Sequence, residues 1–350
     1  MTDKKSPSAI VLLSGGLDSA LAAALLKSIG VSVTAVNFST GFCIYQHRHR
    51  TSLPNEELSP LFDAASRVAK EIGVPLRSYD ISSDFLDVVL NPPHGYGANS
   101  NPCIDCRILM LKKARVIMEE TGADVVATGE VLGQRPMSQR KDTFPVIERE
   151  SGLRGRLLRP LCAQYMKETD AEKSGLIDRK KLKNFTGKGR GPQIRLAEEL
   201  GLKDNFAPTG ACCFLTDMSY SRKFQDKLAH SDRKLTMEDV ELLMVGRHFR
   251  LGEKLKLIIG RRFRENVALE RFVRGRIRME APDAKGPVGI IDECVPDPRQ
   301  ETLCGSILAR YTDARNENSV KIALSFPDGS GKTIEVTPLR DDDLLGKYNI

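Results

Sequence analysis

The stretch Ala9-Ile10-Val11-Leu12-Leu13-Ser14-Gly15-Gly16-Leu17-Asp18-Ser19 decides how the chain is read. Its apolar run from Ala9 to Leu13 predicts a short buried strand, two glycines break it, and Ser19 to Ser28 reads as a helix stopped by Gly30. Glycines let backbone N–H groups approach an anion closely, and a helix start adds unpaired donors with a positive dipole. A pyrophosphate-sized group fits such a turn. Ser14 and Ser19 add hydroxyls, and Asp18 is placed to hold a magnesium ion on the phosphates.

Outward from this turn, strand and helix signals alternate. Val31 to Phe38 predicts a second strand, and Ser59-Pro60 opens a helix as N-cap and first-turn proline, with apolar positions from Leu61 to Ile72 and a stop at Gly73. Val74 to Tyr79 and Asp124 to Thr128 predict two more buried strands, and Asn101-Pro102 starts a helix reaching about Thr121. Arg154 to Gln164 adds a strand and Gly191 to Leu200 a helix. The alternation predicts an α/β domain with a doubly wound, mostly parallel sheet over residues 1–232, ending in a polar connector that starts at about Ser219. Beyond it, Leu255–Ile259, Val288–Ile291, Val320–Phe326 and Thr333–Val336 predict strands of a second, smaller α+β domain over residues 233–350.

Composition sets the outer limits. With 350 residues, 41% hydrophobic and 28% charged, the chain is neither disordered nor fibrous. Its longest uncharged stretch, Ser28 to His47, is interrupted by Ser, Thr, Asn and Gln, so no membrane span is expected, and the N-terminus lacks an apolar signal core. A cytoplasmic protein is expected. The net charge of +7 is unevenly spread: Arg247 to Arg278 holds eleven basic and three acidic residues, and Arg179 to Arg195 seven basic and none acidic. Two such patches predict a polyanionic partner. Gly331-Lys332-Thr333 is not a phosphate loop, because Phe326 stands where its first glycine would be; a hairpin turn at Asp328-Gly329 is expected instead. The run of three aspartates from Asp341 reads as a solvated turn.

Of the eight cysteines, Cys43, Cys162, Cys294 and Cys304 stand alone, and a cytosolic setting argues against disulfides. Cys103 and Cys106 form a C-x-x-C in the first turn of a helix, where the dipole favours thiolates and hence nucleophilic, persulfide or metal-ligand roles. A closed metal site needs further ligands, which the adjacent pair Cys212 and Cys213 can supply.

The glycine turn resembles the PP-loop of N-type ATP pyrophosphatases, which adenylate a substrate oxygen and release pyrophosphate. Asn101-Pro102-Cys103-Ile104-Asp105-Cys106 resembles the N-P-C-x-x-C element of tRNA 2-thiouridylases and related tRNA sulfurtransferases. Ala127 to Gln139 (ATGEVLGQRPMSQ), Leu158-Arg159-Pro160-Leu161 and Gly210 to Asp217 (GACCFLTD) extend the likeness to a bacterial group of PP-loop tRNA thiolation proteins. That group is expected to carry G-G-C-L-L-T-D, so Cys213 is the positional match and Cys212 an extra thiol. Val245 to Leu251, Ile258 to Arg262 and Gly286-Pro287 resemble the RNA-binding domain of NFACT proteins.

The resemblance implies an ATP-dependent tRNA sulfurtransferase making thiouridine, with Asp18, Cys103, Cys106 and Cys213 as catalytic residues. ATP contacts would come from Ser14 to Ser19, including Leu17, and from Asn37 and Gly129. RNA contacts would come from Lys188, Arg190, Arg247, His248, Arg250, Arg261 and Arg262. Two sulfur routes are open. In one, Cys103, Cys106 and Cys213 (or Cys212) hold a 4Fe-4S cluster whose fourth iron carries hydrosulfide; this is preferred, since three convergent thiols with open coordination suit iron. In the other, Cys213 carries a persulfide and Cys103 closes a disulfide. Expected cofactors are ATP with Mg2+ and the cluster. Expected partners are tRNA and a sulfur donor, whether a cysteine desulfurase, a sulfur carrier or sulfide, and a homodimer is allowed for. Alternatives are a PP-loop synthetase acting on a small molecule, amidating or nitrile-forming, and an RNA-binding protein with a nucleotide-sensing loop and structural zinc.

Overall fold

The computed structural model describes residues 6–44, 47, 63–203, 206 and 213–350. Contacts gather the chain into two compact units, the second running from Cys213 to Ile350. In the first, β1 (Ser8–Leu12) leads into α1 (Leu17–Ser28), β2 (Ser32–Ser39), α2 (Ala64–Ile72), β3 (Leu76–Asp80), α3 (Ser82–Leu90) and α4 (Cys103–Thr121). Then follow β4 (Val125–Ala127), α5 (Thr143–Glu150), β5 (Leu157–Leu158), α6 (Asp170–Lys173) and α7 (Gly191–Glu199). The strands form one sheet in the order β3-β2-β1-β4-β5, each neighbouring pair parallel.

Alternation along β1 divides the core. Ala9 and Val11 face Ala20, Ala23, Val68 and Ala69 of α1 and α2, whereas Ile10 and Leu12 face Leu111, Ala114 and Met118 of α4. With β2 and β3 on one side of β1 and β4 and β5 on the other, the winding reverses at β1. The crevice outside the carboxyl ends of β1 and β4 is therefore the switch point where such sheets bind ligands. Helix α4 returns its C-terminal end to the amino end of the sheet, where the Asp124 N–H donates to Ser8 O at 3.0 Å. Its N-terminus, with Cys103 and Cys106, consequently lies at the carboxyl end, as the glycine turn does.

Two strands differ from expectation. The buried strand expected over Val74–Tyr79 is β3, an edge strand exposed beyond Leu76, and the strand expected over Arg154–Gln164 is two residues long before Arg159 turns the chain. The start of the helix expected at Ser59-Pro60 lies outside the described residues.

The second unit holds α8 (Met218–His230), α9 (Met237–Leu243), β6 (Arg247–Gly252), β7 (Leu255–Ile259), α10 (Phe263–Leu269) and β8 (Ile277–Glu280). It continues through β9 (Gly289–Asp292), α11 (Pro298–Ala309), β10 (Val320–Ser325), β11 (Gly331–Val336) and α12 (Asp342–Tyr348). Its sheet runs β11-β10-β8-β9-β7-β6, all antiparallel, with Ile307 and Leu308 of α11 packed on one face and Ala268 and Leu269 of α10 on the other. The expected polar connector is instead the helix α8, which buries Tyr220, Phe224 and Leu228 at helical spacing together with Lys223 and Lys227. Lysine stems covering apolar surface made it read as polar. The β10–β11 hairpin turns at Asp328-Gly329, with Gly329 at φ 85°, which disposes of a phosphate loop there. Asp341 caps α12, so the three aspartates start a helix rather than a plain turn. No described helix is long and apolar enough to cross a membrane.

Candidate functional site

The glycine turn is built on a tight frame. Gly15 has φ 79° and lies against Ala64 so closely that an added Cβ would stand 2.6 Å from that residue's Cβ; only glycine fits. The Ser19 hydroxyl donates to Gly16 O at 2.8 Å and accepts from the Ser14 N–H at 3.2 Å, and Gly16 N–H points back to Ser14 Oγ at 3.4 Å. Ser19 is thus a brace of the turn, not the free hydroxyl donor expected. Leu17 is buried in a cluster with Leu21 and Leu25, leaving only its backbone for a nucleotide. Asn37 ties β2 to the end of β1 by donating to Leu13 O at 2.8 Å. Gly129 sits where a Cβ would come within 2.4 Å of the Asp18 backbone, so the loop after β4 rests directly on the start of α1.

That loop is anchored from beneath. Glu130 is buried and accepts from Thr128 Oγ1 at 3.1 Å and from Arg159 Nε at 3.1 Å, and Arg107 Nε of α4 reaches its other oxygen at 3.1 Å. Arg159 is itself buried, with its guanidinium 3.8 Å from the Phe144 ring centre. The sequence runs ATGE and LRPL are therefore two halves of one buried ion pair.

Asp18, at the first turn of α1, accepts from Gln134 Nε2 at 3.0 Å and lies 3.8 Å from Arg190 Nη2. Burial raises its pKa above the ordinary carboxylate value, opposed by Gln134, Arg190, Arg135 and Gln193. Arg135 acts on Cys103 as well, lowering a thiol pKa that burial raises. One exposed guanidinium thereby lies within electrostatic reach of both the phosphate turn and the C-x-x-C pair. Sequence reasoning missed Gln134, Arg135 and Gln193; the first two lay in plain view in the run ATGEVLGQR.

The helix start does not make thiolates of the cysteines. Burial pushes the Cys106 thiol up to about 11 and raises Cys103 too, outweighing Arg107 and Arg135. Between them Asp105 faces inward and holds His94 twice, through its backbone N–H at 3.0 Å and its ring Nδ1 at 2.7 Å. Alkylation by iodoacetamide, followed by mass spectrometry, is expected to be slow at both thiols at pH 7.5. At Cys106 it should rise about tenfold per pH unit towards its pKa, since the thiolate is the nucleophile; equal labelling at pH 7 and 9 would contradict this. Among the described residues no three His, Cys, Asp or Glu side chains gather as a metal-holding group. Cys213 belongs to the second unit, and Cys212 lies outside the described residues.

In the second unit a cleft of 370 Å³ is lined by Lys223, Arg247, Arg261 and Tyr311, with the Arg247 guanidinium stacked 4.6 Å from the centre of the Tyr311 ring. Beside it Arg261, Arg262 and Arg264 flank Phe263, a residue 69% exposed.

Residues 8–144 match the family model described as the tRNA methyl transferase HUP domain, and residues 246–349 match that of the NFACT protein RNA binding domain. The chain joins a PP-loop HUP domain to an NFACT-type RNA-binding domain. A tRNA-specific 2-thiouridylase of Geobacter metallireducens is 32% identical over 142 residues, 37% of this chain and 36% of that protein. One from Agrobacterium fabrum is 28% identical over 134 residues, 36% of this chain and 32% of that protein. The chain thus spans about a third of the length of the curated relatives it matches. A solved 4-thiouridine synthetase–RNA complex with bound ATP is 24% identical with a TM-score of 0.33, covering 56% of this chain and 50% of that one, too slight a likeness to argue from.

Within the NFACT-type domain, two expected RNA contacts are withdrawn. His248 is fully buried with Nε2 donating to Val245 O at 2.8 Å, and burial holds its pKa well below the usual histidine value. Arg250 is spent on Asp226 at 2.7 Å and on Glu293. Lys256, Arg276 and Arg278 are likewise ion-paired, so the basic run overstates the free charge. Phe263 went unnoticed because a Phe beside arginines reads equally as core. Arg247→Ala is expected to weaken tRNA binding about tenfold at 0.15 M salt and to reduce the salt slope by about one. Binding isotherms at several salt concentrations check it, and an unchanged slope would remove Arg247 from the RNA face.

Proposed function

We propose that this chain is an ATP-dependent tRNA sulfurtransferase that adenylates a uridine carbonyl and replaces its oxygen with sulfur. The observation carrying this is that the PP-loop and the C-x-x-C pair share the carboxyl end of one parallel sheet, with Arg135 in reach of both. The names of the relatives and the NFACT-type domain support tRNA as substrate.

The turn's backbone N–H groups and the α1 dipole hold the phosphates, and the uridine oxygen attacks the α-phosphorus as pyrophosphate leaves with the bond's electron pair. The base gives up its N3 proton to solvent. Asp18 Oδ1 is buried without a hydrogen-bond partner, a fitting ligand for the magnesium ion that would neutralise phosphate charge. The outer sulfur of a cysteine persulfide then attacks the activated carbon and AMP leaves with the C–O electron pair. A second cysteine thiolate attacks the inner sulfur, the S–S bond breaks with its electron pair on the thiouridine sulfur, and the cysteine disulfide left behind is reduced by an external thiol.

For the sulfur step we favour thiol chemistry over a 4Fe-4S cluster. Cys103 and Cys106 supply two thiols, and among the described residues no third His, Cys, Asp or Glu side chain gathers with them as a metal-holding group. Cys213 remains the persulfide carrier by resemblance. The test is pyrophosphate release from ATP with and without tRNA, together with mass spectrometry of nucleosides from tRNA of deletion and wild-type strains. Release that requires tRNA, and loss of one thiolated uridine, are the expected results; release that ignores tRNA would point to a small-molecule synthetase.

A further inference from the structure

The basic run Arg179–Arg195 reads as an RNA face, yet its last part lies on the PP-loop. Thr186 bridges to Leu132, Gly187 N–H donates to Leu132 O at 2.7 Å, and the Thr186 hydroxyl donates to the same oxygen at 3.1 Å. These bonds pin the loop Gly187-Lys188-Gly189-Arg190-Gly191 beside the loop that carries Gln134 and Arg135. Arg190 then stands 3.8 Å from Asp18 Oδ2, only partly exposed.

One helical turn on, Gln193 of α7 is 1% exposed and faces Asp18, close enough to favour its ionised form. Neither of its amide atoms meets a hydrogen-bond partner at bonding distance, and neither does Asp18 Oδ1. Buried polar groups left without partners are costly, and a core position here would suit leucine better. Two such groups facing each other beside an anion cradle, with a guanidinium over them, make a site prepared for a ligand.

We propose that Arg190 and Gln193 form the wall of the PP-loop site that receives the departing pyrophosphate. Arg190 is the phosphate-binding residue and Gln193 the positioning residue for Asp18. This rests on the adenylation reading above. As the bond from the uridine oxygen to the α-phosphorus forms and the bond to the bridging oxygen breaks, negative charge gathers on that oxygen and Arg190 meets it. Gln193 donates to one Asp18 oxygen once the other is engaged, fixing the carboxylate's direction.

The test uses the full chain in two assays. Arg190→Ala should lower tRNA-stimulated pyrophosphate release by about 100-fold and weaken binding of a non-cleavable ATP analogue about tenfold, with tRNA affinity unchanged; Arg190→Lys should restore part of the release. Unchanged analogue binding together with weaker tRNA binding would return Arg190 to the RNA face and overturn the assignment. Gln193→Leu should keep or raise the melting temperature and lower kcat about tenfold with little change in KM; unaltered kcat would reduce Gln193 to packing. A wild-type chain that releases no pyrophosphate with tRNA would defeat the adenylation reading, whereas analogue binding by Arg190→Ala would still decide the placement of Arg190.

Discussion

Asp18→Asn is expected to abolish tRNA-dependent pyrophosphate release, by about 10³-fold or more, while leaving tRNA affinity and folding intact. The substitution keeps the shape and the acceptor that Gln134 Nε2 binds at 3.0 Å, so the start of α1 should hold its place. It removes the charge needed to hold a cation on the phosphates. Stability should not suffer. Burial raises the Asp18 pKa in the folded protein, so above that pKa the folded state pays to keep the carboxylate ionised, and a neutral amide relieves the strain. The helix dipole favours the charge by only about 0.3–1 kcal/mol, which works in the opposite direction. The two should leave the melting temperature level or slightly raised. A residue that is a burden to the fold and indispensable to turnover is what a catalytic position looks like. Pyrophosphate assays and thermal melts of the same preparation check the pair of expectations, and an active Asp18→Asn would remove the carboxylate from the reaction.

The sheet was legible because its strongest signals are local. The run Ala9–Leu13 is apolar throughout, as a strand buried on both faces must be, and the glycines after it can serve only a turn. What the chain hid were features set by tertiary neighbours. Lys223, buried with its amine donating to Gly246 O at 3.0 Å, looks like any surface lysine in a one-dimensional pattern, and burial lowers its pKa to about 7. His248 and Arg250 look like RNA ligands for the same reason; only the fold reveals which charges already have partners. Within the site, residue types were readable but not their allegiance. Arg190 belongs by sequence to a basic run and by geometry to Asp18, because the bridge between Thr186 and Leu132 is a contact between segments 54 residues apart.

Cys103→Ala is expected to eliminate thiouridine while pyrophosphate release stays within about threefold of wild type, because the phosphate turn and its Asp18 do not depend on the thiol. The separation of the two steps is the informative part. Cys103 is half-buried at the first turn of α4, and its nearest electrostatic influences, Arg135 and Arg107, both favour the thiolate against burial. Cys106→Ala should block thiolation as well, and because both cysteines are partly buried each substitution should cost little stability, about 1 kcal/mol or less. Comparing the two variants separates chemistry from packing: equal loss of thiolation with melting temperatures close to wild type is expected. If both steps fell together in Cys103→Ala, the cysteine would be holding the fold. If wild-type protein purified without oxygen carried iron and acid-labile sulfide in cluster stoichiometry, and Cys103→Ala lost both, the thiol route would give way to the cluster route.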